Sequence, residues 1–234
     1  MAANQTKVEP FAMLVFGRQG AGKTTSMEAF LAIHPYHTHI VYNPGREEDW
    51  QGYTEVRLKL DDKSKKLFFT LKGKDYDFDR HFVKKFKGGR VKIVHEGNTK
   101  VRVAFFGKIA YDKILPRSVL IIDDATNVIR HRLTDTDSAI FSKTKHIGVK
   151  LILAYHDINY APNEAFGLVT HIRLFITNGA TGATERLYRR MPVLRTVDKN
   201  WAELQELPEY SYYTIDIYKN KNILVRGKNN KKKK

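Results

Sequence analysis

Gly17-Arg-Gln-Gly-Ala-Gly-Lys-Thr24 limits what this chain can fold into more than any other stretch, because it fits G-x-x-x-x-G-K-[ST] at every fixed position. The apolar run Phe11-Ala-Met-Leu-Val-Phe16 precedes it, and Met27, Phe30, Leu31 and Ile33 follow with helix-like spacing. Strand, glycine loop and helix in that order make a phosphate-binding loop. Its glycines let backbone N–H groups wrap an anion, and the helix N-terminus adds a favourable potential. The expected nucleotide contacts are Gly17, Arg18, Gln19, Gly20, Ala21, Gly22, Lys23, Thr24 and Thr25. Lys23 would neutralise β and γ oxygens, and the Thr24 hydroxyl would ligate Mg²⁺, so ATP and Mg²⁺ are the expected cofactors. A glycine-rich turn at a helix start is the plainer alternative.

The surrounding pattern predicts an α/β fold with a mostly parallel sheet flanked by helices. His39-Ile-Val-Tyr42 is a second short strand closed by the turn Asn43-Pro-Gly45, so the chain opens as a βαβ unit. From about 57 to 107 a basic β-rich insertion is expected, with strands Leu67–Leu71, Val91–Val94 and Val101–Phe106 and a short helix Phe78–Phe86. Val119–Ile122, Leu151–Ala154 and Ile172–Ile176 are apolar runs suited to strands buried on both faces, and Asn127–Lys145 has a helical pattern. Length suits one domain over 1–227, followed by a basic, disordered tail over 228–234.

Charge narrows the partners. Forty-one Lys plus Arg against 25 Asp plus Glu give +16, a field that concentrates polyanions and points to nucleic acid, double- or single-stranded DNA first. The absence of cysteine and of a charged n-region followed by an apolar h-region predicts a cytoplasmic setting. No apolar run approaches the roughly 18 residues of a membrane span.

Two further segments carry chemistry. Val119-Leu-Ile-Ile-Asp123-Asp124 has the form of a Walker B strand, with Asp123 placed to hold magnesium and Asp124 to act as base on the attacking water. Helix capping is the alternative for both aspartates. His156 ends the run Leu151-Ile-Leu-Ala-Tyr, and by residue type alone it reads as an exposed side chain or a partner of Asp157.

Taken in order, Gly17–Thr24, Ile40-Val-Tyr-Asn-Pro44, Leu120-Ile-Ile-Asp-Asp-Ala125 and Lys145-His-Ile-Gly-Val-Lys-Leu-Ile-Leu-Ala-Tyr-His156 resemble the HerA/FtsK superfamily of P-loop DNA-pumping ATPases. That superfamily includes the genome-packaging ATPases of tailless icosahedral viruses and Zot-like assembly proteins of filamentous phages. The family carries Asp-Glu where this chain has Asp123-Asp124, and glutamine where it has His156. The resemblance implies a catalytic trio of Lys23, Asp124 and His156, with His156 sensing the γ-phosphate or orienting the water. It also implies a homo-oligomeric ring, commonly a hexamer, that drives DNA through a basic channel and docks on a capsid or portal-like protein. Such a motor would work in host cytoplasm and could enter the virion. An arginine reaching the neighbouring subunit's γ-phosphate is implied too, with Arg130, Arg132 and Arg173 as candidates. Zot-like relatives usually carry a transmembrane segment after the ATPase domain, so a packaging motor is expected over an extrusion motor.

Two other readings compete. A small-molecule phosphotransferase could use Arg186, Arg189 and Arg190 as a lid, and a nucleotide-ordered scaffold would not hydrolyse ATP. Tyr210, Tyr212, Tyr213 and Tyr218 lie in an aromatic, β-like stretch from Trp201 to Arg226; they could stack on bases, and a strand pair packing against the core is the commoner explanation for such alternation.

Overall fold

A computed structural model describes residues 11–34, 38–42, 50–94, 98–112, 118–129 and 132–227, with the backbone alone over 143–147. The turn Asn43–Gly45, the candidate Arg130 and the tail 228–234 lie outside the described residues. The strands are β1 (Ala12–Phe16), β2 (Thr38–Tyr42), β3 (Thr54–Leu60), β4 (Leu67–Leu71), β5 (Lys74–Asp77), β6 (Arg90–Val94), β7 (Ser118–Ile122), β8 (Lys150–Tyr155), β9 (His171–Leu174), β10 (Tyr212–Asp216) and β11 (Lys221–Val225). The helices are α1 (Lys23–Ala32), α2 (Phe78–Phe86), α3 (Thr99–Asp112), α4 (Ala125–Val128), α5 (Asp135–Ile147), α6 (Asn163–Phe166), α7 (Glu185–Arg190) and α8 (Val193–Leu204).

All eleven strands join one sheet in the order β11-β10-β9-β1-β8-β7-β2-β6-β3-β4-β5. The seven from β9 to β3 run parallel, and an antiparallel pair extends each edge. A parallel sheet needs cover on both faces. On one face Met13 and Val15 of β1 pack with Met27 and Leu31 of α1 and with Trp50. On the other, Leu14 and Phe16 join a larger core with Phe105 and Phe106 of α3, Ile140 and Phe141 of α5, and Leu194 and Val197 of α8.

The α/β reading and the helix Phe78–Phe86 agree with the structure. The segment 57–107 is β-rich, and its strands continue the main sheet, with β6 running parallel between β2 and β3. Val101–Phe106, expected as a strand, lies instead within helix α3. Val101, Phe105, Ile109 and Ala110 are buried at helical spacing, whereas Val103, which strand alternation would have buried, is exposed. The stretch 127–145 holds two helices rather than one, because Thr134 and Asp137 form a capping box that starts α5 afresh. Trp201 belongs to α8, and strand structure resumes only at Tyr212.

Candidate functional site

The site forms where the carboxyl ends of the parallel strands open, the usual position for ligands on such a sheet. Strand β8 lies between β1 and β7. Its tip residue, His156, therefore falls between the loop after β1 and the aspartates after β7.

Residues 17–22 connect β1 to α1 with Gly20 at φ 77° and Gly22 at φ 92°, conformations open to glycine and strained for other residues. At Gly17 a Cβ would stand 2.8 Å from the Phe175 Cβ and 3.2 Å from the Ala21 Cβ, so the loop can press onto the sheet only without one. Gly17 N–H donates to the Tyr155 carbonyl and Arg18 N–H to that of Ile176, tying the loop to neighbouring segments. The Lys23 side chain folds under the loop: Nζ donates to the carbonyls of Gly17 at 2.6 Å and Arg18 at 3.1 Å, and stands 3.4 Å from His156 Nδ1. Only 8% of Lys23 is exposed.

On the facing side, Asp123 is 7% exposed. Its Oδ2 accepts from the Trp50 indole N–H at 2.7 Å and its Oδ1 from the Asp124 N–H at 3.0 Å. A carboxylate oxygen can accept more than one hydrogen bond, so these contacts are compatible with a metal-bound water. Asp124 occupies the cap position of α4 at φ 53°, ψ 50°, with no side-chain capping bond. The capping alternative therefore fails for it, and the left-handed backbone aims its carboxylate elsewhere. Its Oδ2 accepts from Asn127 Nδ2 at 2.7 Å, while Oδ1 is buried and accepts no hydrogen bond. His156 Nε2 stands 3.1 Å from that Oδ1, at ion-pair distance but outside hydrogen-bond geometry. His156 thus spans Lys23 and Asp124. Asp157 is not its partner, since it accepts from Asn159 N–H and caps the short 3-10 turn Ile158–Tyr160. The Thr126 hydroxyl accepts from His156 N–H at 3.2 Å and fixes the β8 tip against α4.

A cleft of about 240 Å³ is lined by Gln19, Gly20, Gly22, Lys23, Thr24, Thr25, Asp123, Asp124, His156 and Tyr210. It gathers every candidate catalytic and metal-binding residue. Of the nucleotide contacts, Gly17 lies beneath the loop, and Arg18 and Ala21 line an adjoining hollow of about 220 Å³. No group of three or more His, Cys, Asp or Glu suited to a metal ion occurs among the described residues. A hydroxyl and a carboxylate facing one cleft suit magnesium, which keeps waters and phosphate oxygens as its remaining ligands.

Other candidates fall away from the cleft. Arg173 is turned inward: it donates to the Ser26 carbonyl and Thr214 hydroxyl and lies over the Tyr212 ring, and burial lowers its pKa. Arg132 is exposed between α4 and α5. Arg186, Arg189 and Arg190 sit on or at the end of α7, outside the cleft lining. Two residues that contact the site were not among the expected site residues. Trp50, itself at positive φ, lies in a polar stretch with no motif, and Tyr210 sits in a run of tyrosines that reads more readily as strand than as base-stacking surface.

No family model and no curated protein matches the chain. Solved structures do. The genome packaging NTPase B204 from Sulfolobus turreted icosahedral virus 2, in complex with AMPPCP, is similar with a TM-score of 0.65 and 14% identity over 94% of this chain and 99% of that one. Its complex with ATP-γS gives 0.62 and 15% over 93% and 98%. VirB4 of Thermoanaerobacter pseudethanolicus gives 0.54 and 12% over 93% and 89%. No helix among the described residues is long and apolar enough to cross a membrane. The chain thus has the α/β P-loop NTPase fold that its motifs imply, and it shares that fold with a viral genome-packaging NTPase.

Proposed function

We propose that the protein is an ATP-driven nucleic-acid translocase, a motor that packages a viral genome. The observation that carries this reading is the convergence of Lys23, Thr24, Asp123, Asp124 and His156 on one cleft at the strand ends. Lys23 binds the β and γ oxygens, exchanging its loop carbonyls for phosphate. Thr24 and Asp123 would hold the magnesium, which would supply charge screening of the phosphate oxygens. Asp124 orients the attacking water and takes its proton as the oxygen–phosphorus bond forms and the β–γ bridge breaks. His156, between Lys23 and Asp124, couples the water-orienting carboxylate to the phosphate-binding ammonium.

The ring, its DNA and a capsid or portal-like docking protein belong to the same proposal, as does work in the cytoplasm of a host. So does the division of the chain into one ATPase domain over 1–227 and a basic tail over 228–234. The net charge of +16 suits backbone contacts that ignore sequence. Among the described arginine candidates, exposed Arg132 is the one free to reach a neighbouring subunit.

Steady-state ATP hydrolysis with and without double-stranded DNA, at about 50 and 200 mM salt, tests the motor. DNA stimulation that collapses at the higher salt is expected, because phosphate contacts release counterions. ATP turnover indifferent to DNA at both salt concentrations would remove nucleic acid from the proposal.

A further inference from the structure

Tyr210 stands outside everything assigned so far. It follows Glu209 in a turn closed by a Ser211 N–H to Pro208 carbonyl bond of 3.1 Å. Its φ of 66° is a value that the third turn position ordinarily reserves for glycine or asparagine. A bulky aromatic there is strained and persists only where its surroundings fix it. They do so here. The Ser211 hydroxyl, fully buried, accepts from Gly227 N–H at 2.9 Å. Gly227 presses so close that a Cβ on it would fall 1.9 Å from the Glu209 carbonyl oxygen. On the other side Tyr212 and β10 anchor the turn to the sheet.

The strain holds an aromatic ring in the open. Tyr210 is 54% exposed, yet its Cδ1 lies 3.3 Å from where a Cβ on Gly22 would be, against the last loop residue before α1. The same side chain lines both the phosphate cleft, with Lys23 and Thr25, and the adjoining hollow, with Arg18, Gln19, Glu209 and Ser211. A nucleotide whose phosphates lie on Lys23 must send its base out of the first cleft, and Tyr210 is the aromatic side chain on that cleft wall.

We infer that Tyr210 is the platform on which the base of the bound nucleotide stacks, so that the chain selects nucleoside triphosphates over bare polyphosphate. The inference rests on the nucleotide reading of the cleft and adds its specificity-determining residue. Stacking on an aromatic ring is tolerant of base identity because every base has a π-face. Tyr210 therefore secures the presence of a base rather than a particular one.

Isothermal titration of Mg²⁺-ATP into wild-type, Tyr210→Phe and Tyr210→Gly protein, with tripolyphosphate as competitor, separates the possibilities. Glycine suits the positive φ, so Tyr210→Gly is expected to melt no lower than wild type while binding ATP about tenfold more weakly, the scale of one lost stack. Tyr210→Phe keeps the ring and should stay within about twofold of wild type. Tripolyphosphate should bind all three with the same affinity, and so displace ATP more readily from Tyr210→Gly. Unchanged ATP affinity in Tyr210→Gly overturns the stack while leaving the phosphate site intact. Weaker binding of a DNA oligonucleotide with ATP affinity unchanged also overturns the stack, and so does equal weakening of ATP and tripolyphosphate, which would place the effect on the phosphate loop instead. Wild-type protein that binds neither ATP nor tripolyphosphate overturns the nucleotide site itself, and the stack with it.

Discussion

At the residue scale, the metal-facing acid is oriented from a loop far along the chain. Asp123 accepts from the Trp50 indole, which is 3% exposed and reaches it from the stretch between β2 and β3. A partner that orients a metal-holding carboxylate is typically worth about 10–100-fold in metal affinity or activity. Trp50→Phe, which keeps the packing and removes the N–H, is therefore expected to raise the Mg²⁺ concentration for half-maximal turnover about tenfold; an unchanged magnesium titration would deny Trp50 that role. Lys23 and Thr24 were legible because their spacing is dictated by backbone geometry that any phosphate loop must adopt, and Asp123 and Asp124 because they end the apolar run of a buried strand. His156 was legible only through a family pattern, since its meaning comes from β8 lying between β1 and β7, an adjacency that no local periodicity encodes. Trp50 and Tyr210 were not legible for the same reason: each acts at positive φ from a loop and touches residues tens to nearly two hundred positions away.

At the element scale, α3 and α5 pack side by side over the sheet, and their contact contains a buried ion pair. Arg102 Nη1 donates to Asp137 Oδ1 at 3.0 Å and Oδ2 at 3.2 Å, with Asp137 only 1% exposed. Removing one partner strands the other in the core. Arg102→Met should lower the unfolding free energy by about 3–5 kcal/mol, read from urea denaturation; a loss below about 1 kcal/mol would mean that the Thr134 donors alone satisfy Asp137. The pair also explains why α3 escaped sequence reading. Val101 to Phe106 alternates well enough to pass for a strand, and the buried Arg102, facing Asp137, breaks the expectation that charge marks the solvent side. The seam between β9 and β10 gives a pH-dependent term. Burial holds the His171 pKa below its ordinary 6.5, with Asp216 at 3.7 Å opposing the shift. The unfolded chain then takes up the proton first, so this contribution to stability is complete above about pH 6.5 and is lost as pH falls through the folded-state value. Wild type should lose more melting temperature than His171→Gln between pH 7.5 and 5.5, and equal losses would assign the slope to other groups.

At the scale of the whole molecule, seven parallel strands place every candidate catalytic side chain at one end of one sheet, and antiparallel pairs widen the sheet on both sides. The parallel core was readable as a series of apolar runs, each buried on two faces. Its strand order was not, because it depends on which crossover packs where. The charge is a property of the whole too, and it argues for a polyanionic partner without locating the contact. The most direct test of a hydrolytic cleft is Mg²⁺-dependent phosphate release by wild-type and Lys23→Ala protein, measured side by side with matched circular dichroism spectra. Loss of Lys23 should abolish turnover, leaving less than about a hundredth of the wild-type rate, on the scale of an electrostatic group at a transferring phosphoryl. A variant that folds like wild type and releases phosphate at the wild-type rate would contradict the assignment of this cleft as the ATPase site.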